Sequence, residues 1–219
     1  LDLVVEVTHV PLVGETVLGG DLRRIPGGKG ANQAVAAARL GRRVAMVGRV
    51  GNDEGGEMLR SALENDNVDT SALTTTPATP NGVALIAVNA EGDNAIVVSA
   101  GANGRVDADD VERAGALVTD AKVVLLQLEV PIDAVQAAAE AANGVVILNP
   151  APAPDEPRPP ALLAAVDILV PNQTELATLS GHVGPVDATV AADLARRLPA
   201  PAVIVTLGAD GALVLTADE

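Results

Sequence analysis

The sequence predicts an α/β layer protein with a mainly parallel central sheet and a small β-sheet lid, and three features say so. From Ala108 to Leu215 strand-like and helix-like segments alternate, as they do where crossover helices join parallel strands. Strand candidates within about 3–25 and 82–99 fall outside that rhythm, so they are assigned to a separate small sheet. Composition fits one main domain over 1–219: 48% of the 219 residues are hydrophobic, and at this length folding removes roughly 70% of the extended chain's surface from water.

In chain order, Leu1 to Val7 reads as a strand and Pro11 to Gly14 as a turn, and Glu15 to Ile25 reads as extended chain rich in Thr, Val, Leu and Ile. Pro26-Gly27-Gly28-Lys29-Gly30 then feeds an Ala-rich helix, Ala31 to Leu40, which Gly41 ends. Val44 to Val50 is a strand and Gly55 to Glu64 a helix. Val83 to Val88 and Ile96 to Val98 flank the polar turn 90–94 and make a hairpin. The alternating part gives a helix at Ala108 to Val118, a strand at Val123 to Leu128, a helix at Ile132 to Ala142 and a strand at Val145 to Leu148. After a proline-dense loop come a short helix at Leu162 to Ala165, a strand at Ile168 to Val170, and helices at Thr174 to Leu179 and Ala188 to Leu198. Strands at Val203 to Thr206 and Leu213 to Leu215 complete it. Six prolines between Pro150 and Pro160 suit a linker or a polyproline ligand on composition. Alternation resumes on both sides, so a stiff surface loop is the better account.

Charge and residue usage exclude several kinds of function. With 14 Lys+Arg against 29 Asp+Glu the net charge is −15, and no Phe, Tyr or Trp is present. Such a chain repels phosphate backbones and lacks stacking platforms, so nucleic acid is not an expected partner. Zero cysteines exclude disulfides, thiolate nucleophiles and cysteine-held metals. Two histidines, His9 and His182, exclude a three-histidine metal site and have no spacing that suggests a triad. No apolar run nears the roughly 20 residues of a membrane span and no signal sequence opens the chain, so a cytoplasmic protein with no membrane partner is the simplest reading. A strand at the first residue and a stop at Ala217-Asp218-Glu219 without a closing helix make both ends read as cut.

Four constellations carry chemistry. Gly27-Gly28-Lys29-Gly30-Ala31-Asn32 is not a P-loop, because Gly30 follows the lysine, nor a dinucleotide fingerprint, because Gln33 stands at the third glycine. Its glycines allow close backbone approach at a helix start, where amides, Lys29 and Asn32 can hold a small polyhydroxylated ligand; a tight turn with a solvated lysine is the equal alternative. Glu129 stands at the carboxyl end of a buried strand, the edge where ligands of open α/β sheets gather, and its carboxylate can accept from sugar hydroxyls. An acidic residue exposed before a helix explains it otherwise. Asn149 has the same standing at the next strand. Asn172-Gln173-Thr174-Glu175 is a capping-box pattern, worth about 1 kcal/mol to a helix, and its Asn172 and Glu175 could also orient nucleotide phosphates and metal-bound water. Thr206-Leu207-Gly208-Ala209-Asp210-Gly211 is a glycine turn between strands, or a nucleotide contact through Thr206 and backbone amides.

Taken together, Pro26–Gly41, Leu126–Pro131, Leu148–Ala153, Val170–Glu175 and Thr206–Gly211 resemble the PfkB-like carbohydrate kinase family, and within it the ribokinase group. The resemblance runs from about Asp2 to Leu215. It implies a ribokinase-like three-layer α/β/α fold with a β lid, and phosphorylation of D-ribose by ATP to ribose 5-phosphate. It implies Mg2+ and K+ as ions, ATP as co-substrate, and a homodimer paired through the lids. By resemblance, Asp2, Gly28, Lys29, Gly30, Ala31, Asn32 and Glu129 match ribose contacts. Asn172 and the segment Thr206, Leu207, Gly208, Ala209, Asp210, Gly211 match ATP contacts. Glu175 matches the acidic member of an Asn-x-x-Glu motif tied to magnesium and phosphate, with Gln173 where a second acidic residue is usual. The family's Gly-Ala-Gly-Asp motif, which holds the general base and anion hole, is not in the sequence, nor is the potassium site. Gly19-Gly20-Asp21 is no substitute, since no helix pattern follows it. The resemblance therefore implies that this chain, without that base, is inactive as it stands. Another sugar or nucleoside kinase of the family and a noncatalytic sugar-binding protein are the rival readings.

Overall fold

A computed structural model describes residues 1–153 and 160–216; Pro154, Pro157 and Pro159 of the proline-dense loop lie outside the described residues. The chain divides into two compact units, Leu1–Val106 and Asp107–Glu219.

In the first unit, β1 (Asp2–Glu6) lies between β2 (Arg23–Ile25), antiparallel to it, and a parallel partner, β7 (Val83–Val88). That partner continues into an antiparallel hairpin with β8 (Asn94–Ser99). These four strands form one sheet. The extended reading of Glu15 to Ile25 is corrected, because only Arg23–Ile25 pairs. Gly20 donates to the Glu6 carbonyl at 2.8 Å, and a Cβ at Gly19 would run into the Val5 side chain. The chain crosses β1 there without a ladder. Leu18 and Leu22 stay exposed, so no buried face draws 15–22 into the sheet.

Helix α1 (Lys29–Arg39) follows the glycine loop and ends before Gly41, whose φ of 79° is the left-handed stop the sequence signals. The single strand expected at Val44 to Val50 is two. β3 (Val44–Ala45) and β4 (Gly48–Gly51) each take a different parallel partner, β5 (Val68–Asp69) and β6 (Leu73–Thr76) respectively. The partner chain is itself interrupted by a turn in which Leu73 donates to the Thr70 carbonyl, so no continuous ladder can form. Ala34, Val50, Leu63, Val68 and Leu73 make this unit's core beneath α1 and α2 (Glu54–Asn65).

Asp53 caps α2 and does more than cap. Its Oδ1 accepts from the Gly56 amide at 2.9 Å and its Oδ2 from the Asn81 amide at 2.8 Å. Asn81 is buried, accepts from the Gly51 amide and donates to the Gly82 carbonyl just before Val83. The start of α2, the end of β4 and the entry to the 83–88 strand are thus tied at one carboxylate. The Asn81 and Gly56 amides hold the Asp53 carboxyl below the usual carboxylate range. A depressed carboxylate pKa gives stability that is fully present above about pH 4 and lost as pH falls through the lowered value. Asp53→Ala is expected to cost about 1 to 2 kcal/mol at pH 7 and to weaken the acid dependence of stability. Urea unfolding of both proteins at pH 7 and pH 3 measures this; parallel losses on acidification would contradict it.

The second unit is a five-stranded sheet. β9 (Val123–Leu126), β10 (Val145–Leu148), β11 (Ile168–Leu169) and β12 (Ala202–Thr206) run parallel in that spatial order, and β13 (Ala212–Thr216) closes the far edge antiparallel to β12. Between them run α3 (Ala108–Ala114), α4 (Ala116–Thr119), α5 (Ile132–Ala141), α6 (Pro160–Ala164), α7 (Gln173–Ser180) and α8 (Ala188–Ala195). The one helix expected at Ala108 to Val118 breaks at Gly115, whose φ of 50° leaves the helical region. Leu148, Leu162, Leu169, Leu176 and Val205 are fully buried. Val, Leu and Ala fill this core where aromatic rings are absent.

Candidate functional site

The glycine loop owes its shape to two residues. Gly28 has φ 101° and ψ 137°, a conformation open to glycine and costly for other residues. Gly27 is buried, and a Cβ on it would overlap the Asp2 carboxylate. Asp2 begins β1 and pairs with Ile25 and Ala84 on its two sides, so its carboxylate is fixed against the loop that leaves β2. Helix α1 starts with no side-chain cap and no acidic residue in its first turn. Such a helix start presents amide donors at the positive end of the dipole. A carboxylate acceptor set beside amide donors suits a hydroxyl, which gives one hydrogen bond and takes others. Gly28, Lys29, Gly30 and Ala31 are half-buried here and Asn32 is exposed.

In the second unit the remaining candidates lie along the carboxyl edge of the parallel strands. β9 ends at Leu126, two residues earlier than expected, and Glu129 follows in a loop, half-buried, with its amide donating to Gln127 Oε1 at 2.6 Å. Asn149 has its amide committed: Nδ2 donates to the Val170 carbonyl at 2.8 Å. The capping box is formed in full, with Asn172 Oδ1 accepting from the Glu175 amide at 2.8 Å and Glu175 Oε2 accepting from the Asn172 amide at 2.9 Å. Glu175 is only 9% exposed. Asn172 also bridges to Thr206 on β12, whose amide donates to the Pro171 carbonyl at 3.0 Å. From Thr206 the chain turns through Gly208 (φ 62°) and Gly211 (φ 92°), closed by Leu207 donating to Gly211, and Gly208, Ala209, Asp210 and Gly211 are exposed.

Among the described residues no three His, Cys, Asp or Glu side chains gather as a metal cage. A lone carboxylate still fits Mg2+, which keeps most of its waters and is held largely by substrate phosphates. His9 bonds Glu15 at 2.8 Å in an exposed loop, outside both sets of candidates. An open hollow of about 690 Å³ is lined by Asp120, Lys122, Asn143 and Asp167 at the opposite, amino edge of the sheet. Asp53 and Asn81 stand outside the candidate residues of the sequence; an aspartate just before a helical run is the signal that points to the first of them.

The pfkB family of carbohydrate kinases matches residues 2–219. The chain belongs to this family. All five motif segments fall within the match. Ribokinase of Haemophilus influenzae is 38% identical over 97% of this chain and 71% of its own. A deoxyribokinase of Salmonella typhimurium is 37% identical over 100% of this chain and 73% of its own. The structure of Arabidopsis thaliana ribokinase complexed with ribose and ATP shares 32% identity and a TM-score of 0.83, covering 100% of this chain and 72% of that one. As a pfkB family member the protein has a ribokinase-like α/β fold, and the α/β architecture expected from the sequence holds.

Proposed function

We propose that this protein is a ribokinase, which transfers the γ-phosphoryl group of ATP to the 5-hydroxyl of D-ribose. The observation that carries the reading is the Asp2 carboxylate packed on Gly27 at the uncapped start of α1, in a family member 38% identical to a ribokinase. In this proposal Asp2, the amides from Gly28 to Ala31, Lys29 and Asn32 hold sugar hydroxyls, and Glu129 is a ribose contact by the resemblance. Asn172 and the Thr206–Gly211 turn take the nucleotide. Glu175 is the residue that would hold Mg2+-bound water, and the ion would supply charge neutralisation at the phosphates. These residues position and polarise, which is most of what phosphoryl transfer asks of a protein. The sheet at 2–6, 23–25, 83–88 and 94–99 acts as the lid, keeping water from competing as phosphoryl acceptor.

The test is ADP release from ATP with D-ribose, using the polypeptide its own gene encodes. Ribose-dependent turnover is expected; ribose-independent hydrolysis alone, or turnover only with fructose or adenosine, overturns the reading. The likeness to a deoxyribokinase keeps a second substrate in view. A site that hydrogen-bonds the 2-hydroxyl is left with unpaired groups by the 2-deoxy sugar. A kcat/KM at least tenfold higher for ribose than for 2-deoxyribose is expected, and the reverse order would make the protein a deoxyribokinase.

The lid sheet also supports pairing of two copies. Leu85, Ile96, Val97 and Val98 are each 50% to 66% exposed, and Leu85 and Val97 stand opposite one another on one face. The last strand leaves one backbone edge without a partner among the described residues. Exposed apolar edge strands of this kind seek a partner. Val97→Asp is expected to weaken dimerisation at least tenfold in sedimentation equilibrium, and an unchanged association constant would remove the lid from the interface.

A further inference from the structure

We infer that Asn149-Pro150-Ala151 is the splice that holds the two ligand-bearing loops of the carboxyl edge in register, with Asn149 as a positioning residue for the nucleotide side. The assignment of sides rests on the proposed function; the splice itself rests on hydrogen bonds. β11 ends at Leu169, so the Val170 carbonyl lies one residue past the ladder. Asn149 Nδ2 donates to it at 2.8 Å, while the Asn149 amide donates to the Leu126 carbonyl at 2.9 Å. A side-chain amide thus extends the sheet's pairing by one step, across the ends of β9, β10 and β11. Two residues on, the Ala151 carbonyl accepts from the Leu128 amide at 2.9 Å.

The two loops so held carry the chemistry. Leu128 immediately precedes Glu129, and Val170-Pro171 leads directly into Asn172. Pro171 in turn accepts from Thr206 at 3.0 Å, so the chain of bonds runs from the Glu129 loop through Asn149 to Asn172 and Thr206. Pro150 and Pro171 are fully buried, and their fixed φ angles leave little freedom for the joints to flex. An unpaired carbonyl at Val170 would let the start of α7 shift, and a shift well under 1 Å at a positioned group is enough to lose affinity.

Asn149→Leu keeps the volume and removes the donor; Asn149→Asp keeps the shape and places a carboxylate against the Val170 carbonyl. Both are expected to weaken ATP binding about tenfold by calorimetry while ribose affinity, measured without nucleotide, stays within twofold. A purely structural role would lower both affinities together along with thermal stability, and that result, or unchanged ATP binding, overturns the inference. Hydrogen exchange of the ligand-free protein tests the splice independently of what the protein binds. The Asn172, Glu175 and Thr206 amides are expected to exchange at least tenfold faster in Asn149→Leu, with Val146, held by Asp167 at 2.8 Å on the other edge, unchanged. Equal protection in variant and parent would overturn the splice even if ribose and ATP both bind. Absence of ribose and ATP binding in the parent would sink the proposed function and leave the exchange result to decide the splice.

Discussion

Gly27→Ala is expected to lower ribose affinity at least a hundredfold and to destabilise the protein by about 2 kcal/mol. The added Cβ would occupy the space of the Asp2 carboxylate, so the carboxylate must swing away or the loop must lift off β1. Neither is cheap. Asp2 belongs to an interior strand paired on both sides, and Gly28, next in line, already holds a conformation that a shifted loop would have to surrender. Asp2→Ala combined with Gly27→Ala separates the two losses. Removing the carboxylate makes room for the methyl group, so stability is expected to return to within about 0.5 kcal/mol of Asp2→Ala alone. Ribose affinity is not expected to return, because a hydrogen bond to a charged group is worth about 1.5 to 3 kcal/mol and the double variant cannot make it. Urea unfolding and calorimetry with ribose on the four proteins close the cycle. A Gly27→Ala protein that binds ribose as the parent does would detach Asp2 from the sugar altogether.

What could be read from the sequence follows from how local each feature is. Val145–Leu148 is a short apolar run between turn signals and its strand stands where the run stands, while the strand of the Val123–Leu128 run starts with it and stops two residues short. The capping box was equally legible, since Asn172 and Glu175 satisfy each other across three residues. Gly28 was legible as a loop glycine before helix α1, and its positive φ gives the reason. Features set by distant partners were not. β5 is two residues long and half of it is Asp69, so only pairing with Val44–Ala45 makes it a strand. Glu15 to Ile25 carries enough Val, Leu and Ile to be extended, yet Leu18 and Leu22 are exposed and only Arg23–Ile25 pairs. The helix after Asp107 hides its break, since Gly115 inside a helical pattern can be tolerated or can turn, and here it turns. The candidate site shows the same division: the glycine loop was visible, whereas the contact of Gly27 with Asp2 and the bond from Asn149 to Val170 join segments more than twenty residues apart.

In the polypeptide its own gene encodes, Glu175→Gln is expected to cut kcat for ribose phosphorylation by about 10- to 100-fold while moving thermal stability by no more than about 2 °C. The substitution separates two roles that one side chain performs at one place. In the capping box Glu175 Oε2 accepts from the Asn172 amide, and a glutamine carbonyl accepts that bond as well, which is why either residue serves at this position. The start of α7 therefore keeps its geometry, and Asn172 stays bridged to Thr206. What disappears is the negative charge, in a setting only 9% exposed, where charge acts through less water than at an open surface. If the charge orders Mg2+-bound water beside the nucleotide phosphates, the loss falls on turnover more than on the KM for ATP. Glu175→Ala provides the contrast: it removes cap and charge together and is expected to cost a further 1 kcal/mol or so of stability on top of the same loss of turnover. Undiminished turnover in Glu175→Gln would show that the carboxylate's charge has no part in the reaction, and that the Asn-x-x-Glu pattern in this chain starts a helix and nothing more.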